Sequence, residues 1–394
     1  MLKRFFGEGF RVFFLGAGLF AILAMAWWTL YLGVHFTGGM VTAIPFAMAP
    51  HEWHGHELAF GYGSAALAGF LLTAVPNWTG ATAARHWFIG LAAAVWLAGR
   101  LALWTSGSLP AGLVAAVDLA FLPILWIKIA GLLWRRPKPQ NVVFLVFLSL
   151  FWLGNLAMHL GWAGIWAGGE IDGARAGVMA LAGMILVIGG RVGPAFTRNA
   201  MHREGVPEAK LPRDPALFTP AMIGLAVLLP LSALFQPGSA VAGAVALAAG
   251  LAQLARQSRW GIGFAITRPI LAALHVSAAM VGLGLVMTGL VPFTGLSEVA
   301  ALHLLAIGGV AGMTLAVMSR ATLGHSGRPL VAPMPVALAY ALLPLAAVLR
   351  WVGSEVSGGA YFPAVLAAGL LWIAAFALYA GALLPAFLGP RADR

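Results

Sequence analysis

Three imidazoles and two carboxylates fall within seven residues, His51-Glu52-Trp53-His54-Gly55-His56-Glu57, at the head of a long apolar run. Imidazole nitrogens bind transition metals and haem iron, and carboxylates carry protons. Residues two apart in a helix point about 200° apart. His54 and His56 can therefore share one metal only if the chain is not fully helical there, and Pro50 and Gly55 would permit such a break. His51 and His54, three apart, could share a face. The competing reading is a wet interfacial turn whose histidines only cap a helix.

The rest of the chain is too apolar for a soluble fold. Of 394 residues 61% are hydrophobic and 9% charged, with mean hydropathy +0.92, whereas soluble domains carry about 25% charged residues. Spanning a bilayer takes about 20 apolar residues as a helix. Runs of that length predict twelve helices near residues 12–34, 55–75, 86–104, 111–133, 142–163, 174–194, 216–235, 240–257, 268–290, 298–319, 334–352 and 361–386. The fold class is an all-α membrane protein, read as a single polytopic transmembrane domain over 1–394. No strand alternation of the barrel type is present. The longest expected connection runs from Thr197 to Pro215.

Cysteine is absent, which excludes C-x-x-C-H haem attachment, thiolate-held iron–sulfur clusters and cysteine-bound copper. A redox centre here must use histidine, methionine or oxygen. The net charge of +11 invites a nucleic-acid reading, but the charges sit in the short loops of one side. Of the 23 Lys and Arg, all but Arg100, Arg175 and Arg350 fall on or near the side that carries the N-terminus. The positive-inside bias thus accounts for the charge without nucleic acid and predicts both termini inside.

On that map His35, His51, His54, His56, His159 and His303 gather at the outer level. His86, His202 and His325 fall inside, and His275 lies in the inner half of its span; no role is assigned to His275 or His325. Ionisable groups at membrane depth are costly and usually functional. These positions suggest a haem b between spans 2 and 10, with His54 or His56 on one side and His303 on the other. Gly61 and Gly63 on span 2, and Gly308, Gly309 and Gly312 on span 10, could admit a flat macrocycle, or could serve ordinary helix packing. A second centre, copper or another haem, would draw on the remaining outer histidines among His51, His54, His56, His159 and His303. Arg100 and Arg350 break the charge bias, so each could hold a haem propionate, or could pair with Asp118 or Glu355. Glu57 and Glu298 are candidate proton carriers. No carboxylate is found in the inner half of a span, so protons would arrive from outside. A faint echo among Ala68-Gly69-Phe70, Ala182-Gly183-Met184 and Ala311-Gly312-Met313 would fit three four-helix arcs.

Longer blocks then carry a resemblance. Trp53-His54-Gly55-His56-Glu57 with Gly61, the stretch Ala68 to Gly80, Gly154-Asn155 with His159, Gly190-Arg191 through Arg198-Asn199, and Met318-Ser319-Arg320 through Arg328-Pro329 resemble the NnrS family across essentially the whole chain. The resemblance implies a twelve-helix protein of the bacterial inner membrane that contains haem and copper and serves nitric oxide metabolism. It carries over no ligand assignment. The expected function is then a nitric oxide reductase or detoxifier in the lipid bilayer, fed by an electron donor the sequence does not identify. The competing classes are a haem- or metal-handling transporter or accessory protein, for which intramembrane prolines such as Pro123, Pro230, Pro344 and Pro363 would suit broken helices, and a sensor without turnover. The topology is open to a direct check. Alkaline phosphatase fused after Gly107 should be active in cells and fused after Lys138 inactive; the reverse pattern overturns the orientation.

Overall fold

The computed structural model describes residues 2–213, 218–355 and 359–393. It is about four-fifths helical, and no strand occurs among the described residues. Twelve helices are long and apolar enough to cross a membrane: α1 (Gly9–Phe36), α2 (Pro50–Thr79), α3 (Trp87–Trp104), α4 (Ala111–Leu133), α5 (Gln140–Trp162), α6 (Gly169–Arg203), α7 (Phe218–Phe235), α8 (Ala240–Gln257), α9 (Pro269–Phe293), α10 (Glu298–His325), α11 (Met334–Glu355) and α12 (Tyr361–Leu388). This is a multi-pass membrane protein, and each predicted span has its helix. Two differ usefully in extent. Helix α6 runs on to Arg203, so the first seven residues of the expected 197–215 loop are helical, although Pro194 lies inside. Helix α2 begins at Pro50 rather than Gly55. Pro50 opens it, and Glu52 Oε2 accepts from Ala49 N at 3.2 Å, closing the first turn.

Both α2 and α10 widen into π turns, at Glu57–Tyr62 and Leu304–Ala311. Each wide turn starts directly after a histidine, His56 or His303. Such turns detach carbonyls from the regular ladder and mark functional positions more often than ordinary helix does. In α2 the Gly61 carbonyl accepts from Trp96 Nε1 at 2.9 Å and from Ser64 Oγ at 3.2 Å.

The contacts group the chain into two compact units. The first comprises Met1–Gly177, Ala321–Pro329 and Phe376–Arg394; the second comprises Val178–Arg320 and Leu330–Ala375. In the first unit a buried arginine ties the two ends of the sequence together. Arg11 Nη1 donates to the carbonyls of Ala386, Phe387 and Gly389 at 2.8, 2.9 and 3.0 Å, and Nε donates to Glu8 at 2.7 Å. A helix C-terminus leaves its last carbonyls without intrahelical donors, and here one cation satisfies three of them. Arg11→Ala should lower stability by about 2–3 kcal/mol. Arg11→Lys, which keeps the charge, should lose less; equal losses in thermal unfolding in detergent would contradict the capping role.

Candidate metal and proton site of the first unit

Six side chains from four helices meet at one end of the first unit. Helix α2 supplies His56 and Glu57, α3 supplies Arg100, α4 supplies Asp118, and α5 supplies Asn155 and His159. All are buried. The meeting follows from helix direction: His56 and Asp118 lie early in their helices, whereas Arg100 and His159 lie late in theirs. Glycines set the approach. A Cβ on Gly99 would stand 3.0 Å from Asp118 Oδ1 and 3.2 Å from its Cα, so α4 reaches α3 only over a bare backbone. A Cβ on Gly154 would lie 3.0 Å from the Gly173 carbonyl, which lets α5 pack tightly against the start of α6.

The hydrogen bonds form a closed set. Arg100 Nη1 donates to Glu57 Oε1 at 2.5 Å, and Nη2 pairs with Asp118 Oδ1. Asn155 Nδ2 donates to Asp118 Oδ2 at 2.9 Å, and this fixes its amide so that Oδ1 faces His56 Nε2 at 2.7 Å. The other ring nitrogen, His56 Nδ1, stands 2.9 Å from Glu57 Oε1. His159 Nε2 lies 2.9 Å from Asp118 Oδ2.

Both nitrogens of His56 thus face acceptors. The Nε2–Asn155 bond requires a hydrogen on Nε2. The Nδ1–Glu57 bond requires a second hydrogen, carried by the ring or by the carboxyl. Counting charge gives the same proton. Glu57 and Asp118 bring two negative charges and Arg100 one positive, so one exchangeable proton makes the buried group neutral. A buried ionic group is tolerated only when compensated in this way. A metal ion is the other compensating charge. His56, Asp118 and His159 each offer one ligand atom, and the three atoms lie within 4.8 Å of one another, close enough to share an ion once the His56 ring gives up a hydrogen. Two imidazoles and a carboxylate are a donor set that suits first-row transition metals. The chemistry available here is to hold a proton, release it, or exchange it for a metal.

An aromatic layer packs nearby. Trp53 stacks on Phe46 at 5.2 Å and meets Trp27 at 4.8 Å and Trp104 at 5.4 Å. Trp162 stands 5.4 Å from His56 and 5.1 Å from His159, and its Nε1 donates to Glu52 at 3.0 Å. These rings keep the local dielectric low.

Apart from Arg100, the other expected site residues fall elsewhere. Residues 50–56 are helical without a break, so His54 and His56 diverge. The His54 ring stacks flat on Trp28 at 4.6 Å, while His56 enters the cluster. His51 is exposed. Glu298, His303 and Arg350 belong to the second unit. Glu298 opens α10, His303 Nδ1 donates to the Val299 carbonyl at 2.7 Å, and buried Arg350 pairs with Ser354 and lies 5.8 Å from the Tyr361 ring. Arg100, read as a propionate partner or as a partner of Asp118, pairs with Glu57 and Asp118. His275 in the second unit is fully buried. Its Nε2 contacts Thr197 Oγ1 at 2.9 Å, and that hydroxyl donates to the Gly193 carbonyl, so the ring nitrogen is the donor. His325 packs on Phe10 at 5.7 Å.

Asp118 and Asn155 were not singled out as site residues from the sequence. A signal existed for each. Asp118 is the lone carboxylate of its span, and Asn155 stands four residues before His159 on one helix face.

Gly61 offers a clean test of the packing. A Cβ there would stand 2.5 Å from Phe20 and 2.8 Å from Arg100 Nη1, whereas a Cβ on Gly55 meets nothing within 4 Å. Gly61→Ala should cost about 1–3 kcal/mol by overpacking. Gly55→Ala should be neutral or stabilising by helix propensity. Equal effects on thermal unfolding would contradict the tight approach of Arg100.

Known proteins supply the context. No curated protein matches the chain. The family described as NnrS protein matches residues 4–391, nearly the full length. The chain belongs to the NnrS family, which ties it at family level to nitric oxide metabolism.

Proposed function

We propose that this is a haem-containing protein of the bacterial inner membrane that reduces or otherwise detoxifies nitric oxide, with its proton and metal chemistry at the His56–Asp118–His159 cluster. The observation that carries the reading is the cluster itself: two carboxylates, one guanidinium and two imidazoles buried together in an apolar bundle. Such groups are expensive at membrane depth and are kept for function.

Reducing two molecules of nitric oxide to nitrous oxide and water takes two electrons and two protons. Nitric oxide is small and apolar enough to arrive through lipid, so no polar entry channel is needed for it. The cluster answers the proton requirement. Glu57 and His56 share a hydrogen across 2.9 Å, and moving it costs little reorganisation because Arg100 and Asn155 already hold both partners. Glu298, at the start of α10, is the proton carrier of the second unit. Electrons come from a one-electron donor outside this chain.

The residues fit the cofactors that the family implies. His56, Asp118 and His159 would hold copper. His303 suits haem: its Nδ1 hydrogen is held by the Val299 carbonyl, which makes Nε2 the lone-pair nitrogen, the arrangement usual for a ligating imidazole. Haem b, when bound, would supply an iron that takes nitric oxide and accepts electrons for it.

The test combines spectrum, metal content and turnover. Purified protein from iron- and copper-replete cells should show a Soret band and bound metal, and reduced protein in liposomes should consume nitric oxide. Asp118→Asn and His159→Ala should lower consumption and metal content about 10- to 100-fold while the Soret band stays. His303→Ala should remove that band. A colourless, metal-poor preparation, or consumption no faster than free haem, overturns the reading.

A further inference from the structure

We propose that the groove between α3 and α4, at their Lys/Arg-rich end, binds an anionic phospholipid of the adjoining leaflet. The groove has a volume of about 400 Å³. Its walls are Phe88, Ile124, Ile127 and Leu132, and its space is left by Gly131, where a Cβ would meet nothing within 4 Å. Two cations, Lys128 and Arg135, line it, and no carboxylate does.

The placement fits one occupant. Lys128 lies five residues before the end of α4 at Leu133, about 7–8 Å below it, and Arg135 lies just beyond. Both line the groove, Lys128 from the helix and Arg135 from the turn that follows it. Apolar walls with cations stacked towards the membrane surface are complementary to an acyl chain below a phosphate. Lys128 Nζ stands 5.1 Å from the centre of the Phe88 ring, so the ring holds the ammonium at the groove rather than letting it swing away. An ammonium at that depth is costly unless an anion meets it. The flanks are open: Ile127 is 67% exposed and Trp134, just beyond the helix end, is 84% exposed, a position that suits an interfacial aromatic. Basic pockets of this kind between transmembrane helices recognise lipid headgroups.

The full chain, delipidated in mild detergent, is titrated with phosphatidylglycerol or phosphatidylcholine, and retained lipid is counted by native mass spectrometry. Phosphatidylglycerol should be held at least ten-fold more tightly. Lys128→Gln and Arg135→Gln should each weaken that preference about five-fold and leave phosphatidylcholine retention unchanged. Gly131→Leu, which fills the groove without touching charge, should reduce retention of both lipids. Inorganic phosphate at equal concentration should not compete. Equal retention of the two lipids, a preference unaltered in all three variants, competition by phosphate, or a dimer lost on Lys128→Gln would each overturn the proposal, the last by making a second copy the occupant.

Discussion

Two carboxylates buried among apolar helices must find two positive charges, and one of these is Arg100 while the other is a proton or a metal. Much of the first unit serves that balance. Gly99 brings the helix of Asp118 against the helix of Arg100, and Gly61 leaves room for the guanidinium itself. Asn155 donates to one partner and accepts from the other, which fixes both. The π turn after His56 adds a residue to the helix where Glu57 enters the set. Remove any one charge, and the others are left uncompensated at low dielectric.

The same balance gives the site its chemistry. A group that needs one exchangeable positive charge can trade proton for metal, and a reaction that consumes protons can draw on it. Trp162 packs against His56, and Trp27, Phe46, Trp53 and Trp104 form an apolar layer nearby. Under the proposed function, nitric oxide would need no polar path into the apolar bundle. Family membership gives the link to nitric oxide metabolism, and the geometry gives a buried group that can hold and release a proton.

The bundle was legible in the sequence because hydropathy reports length directly: a run of apolar residues is long enough to span or it is not. The histidine-rich head of α2 was legible too, since three imidazoles in seven residues need no alignment to notice. What sequence could not supply was which way each ring points. Pro50 starts the helix early, so His54 turns to Trp28 and His56 turns to Asp118. Asp118 could be read only as a possible partner of an outer arginine, because its other partners lie on two further helices. The π turns leave no periodicity to read, since they shift the ladder by a single residue. The end of α6 reads as loop in the sequence because Pro194 and the polar stretch beyond it resemble a terminus, yet the helix continues to Arg203.

The most direct test is a double-mutant cycle on thermal stability with Arg100→Met and Asp118→Leu. If the buried group is stable only as a neutral whole, each single change strands a charge or forces the exchangeable proton out of its place, and costs about 3–5 kcal/mol. The double change removes one charge of each sign, leaves Glu57 with the proton on His56, and should cost clearly less than either single change. Additive losses would contradict the account, because they would mean that the two side chains contribute separately and share no charge balance.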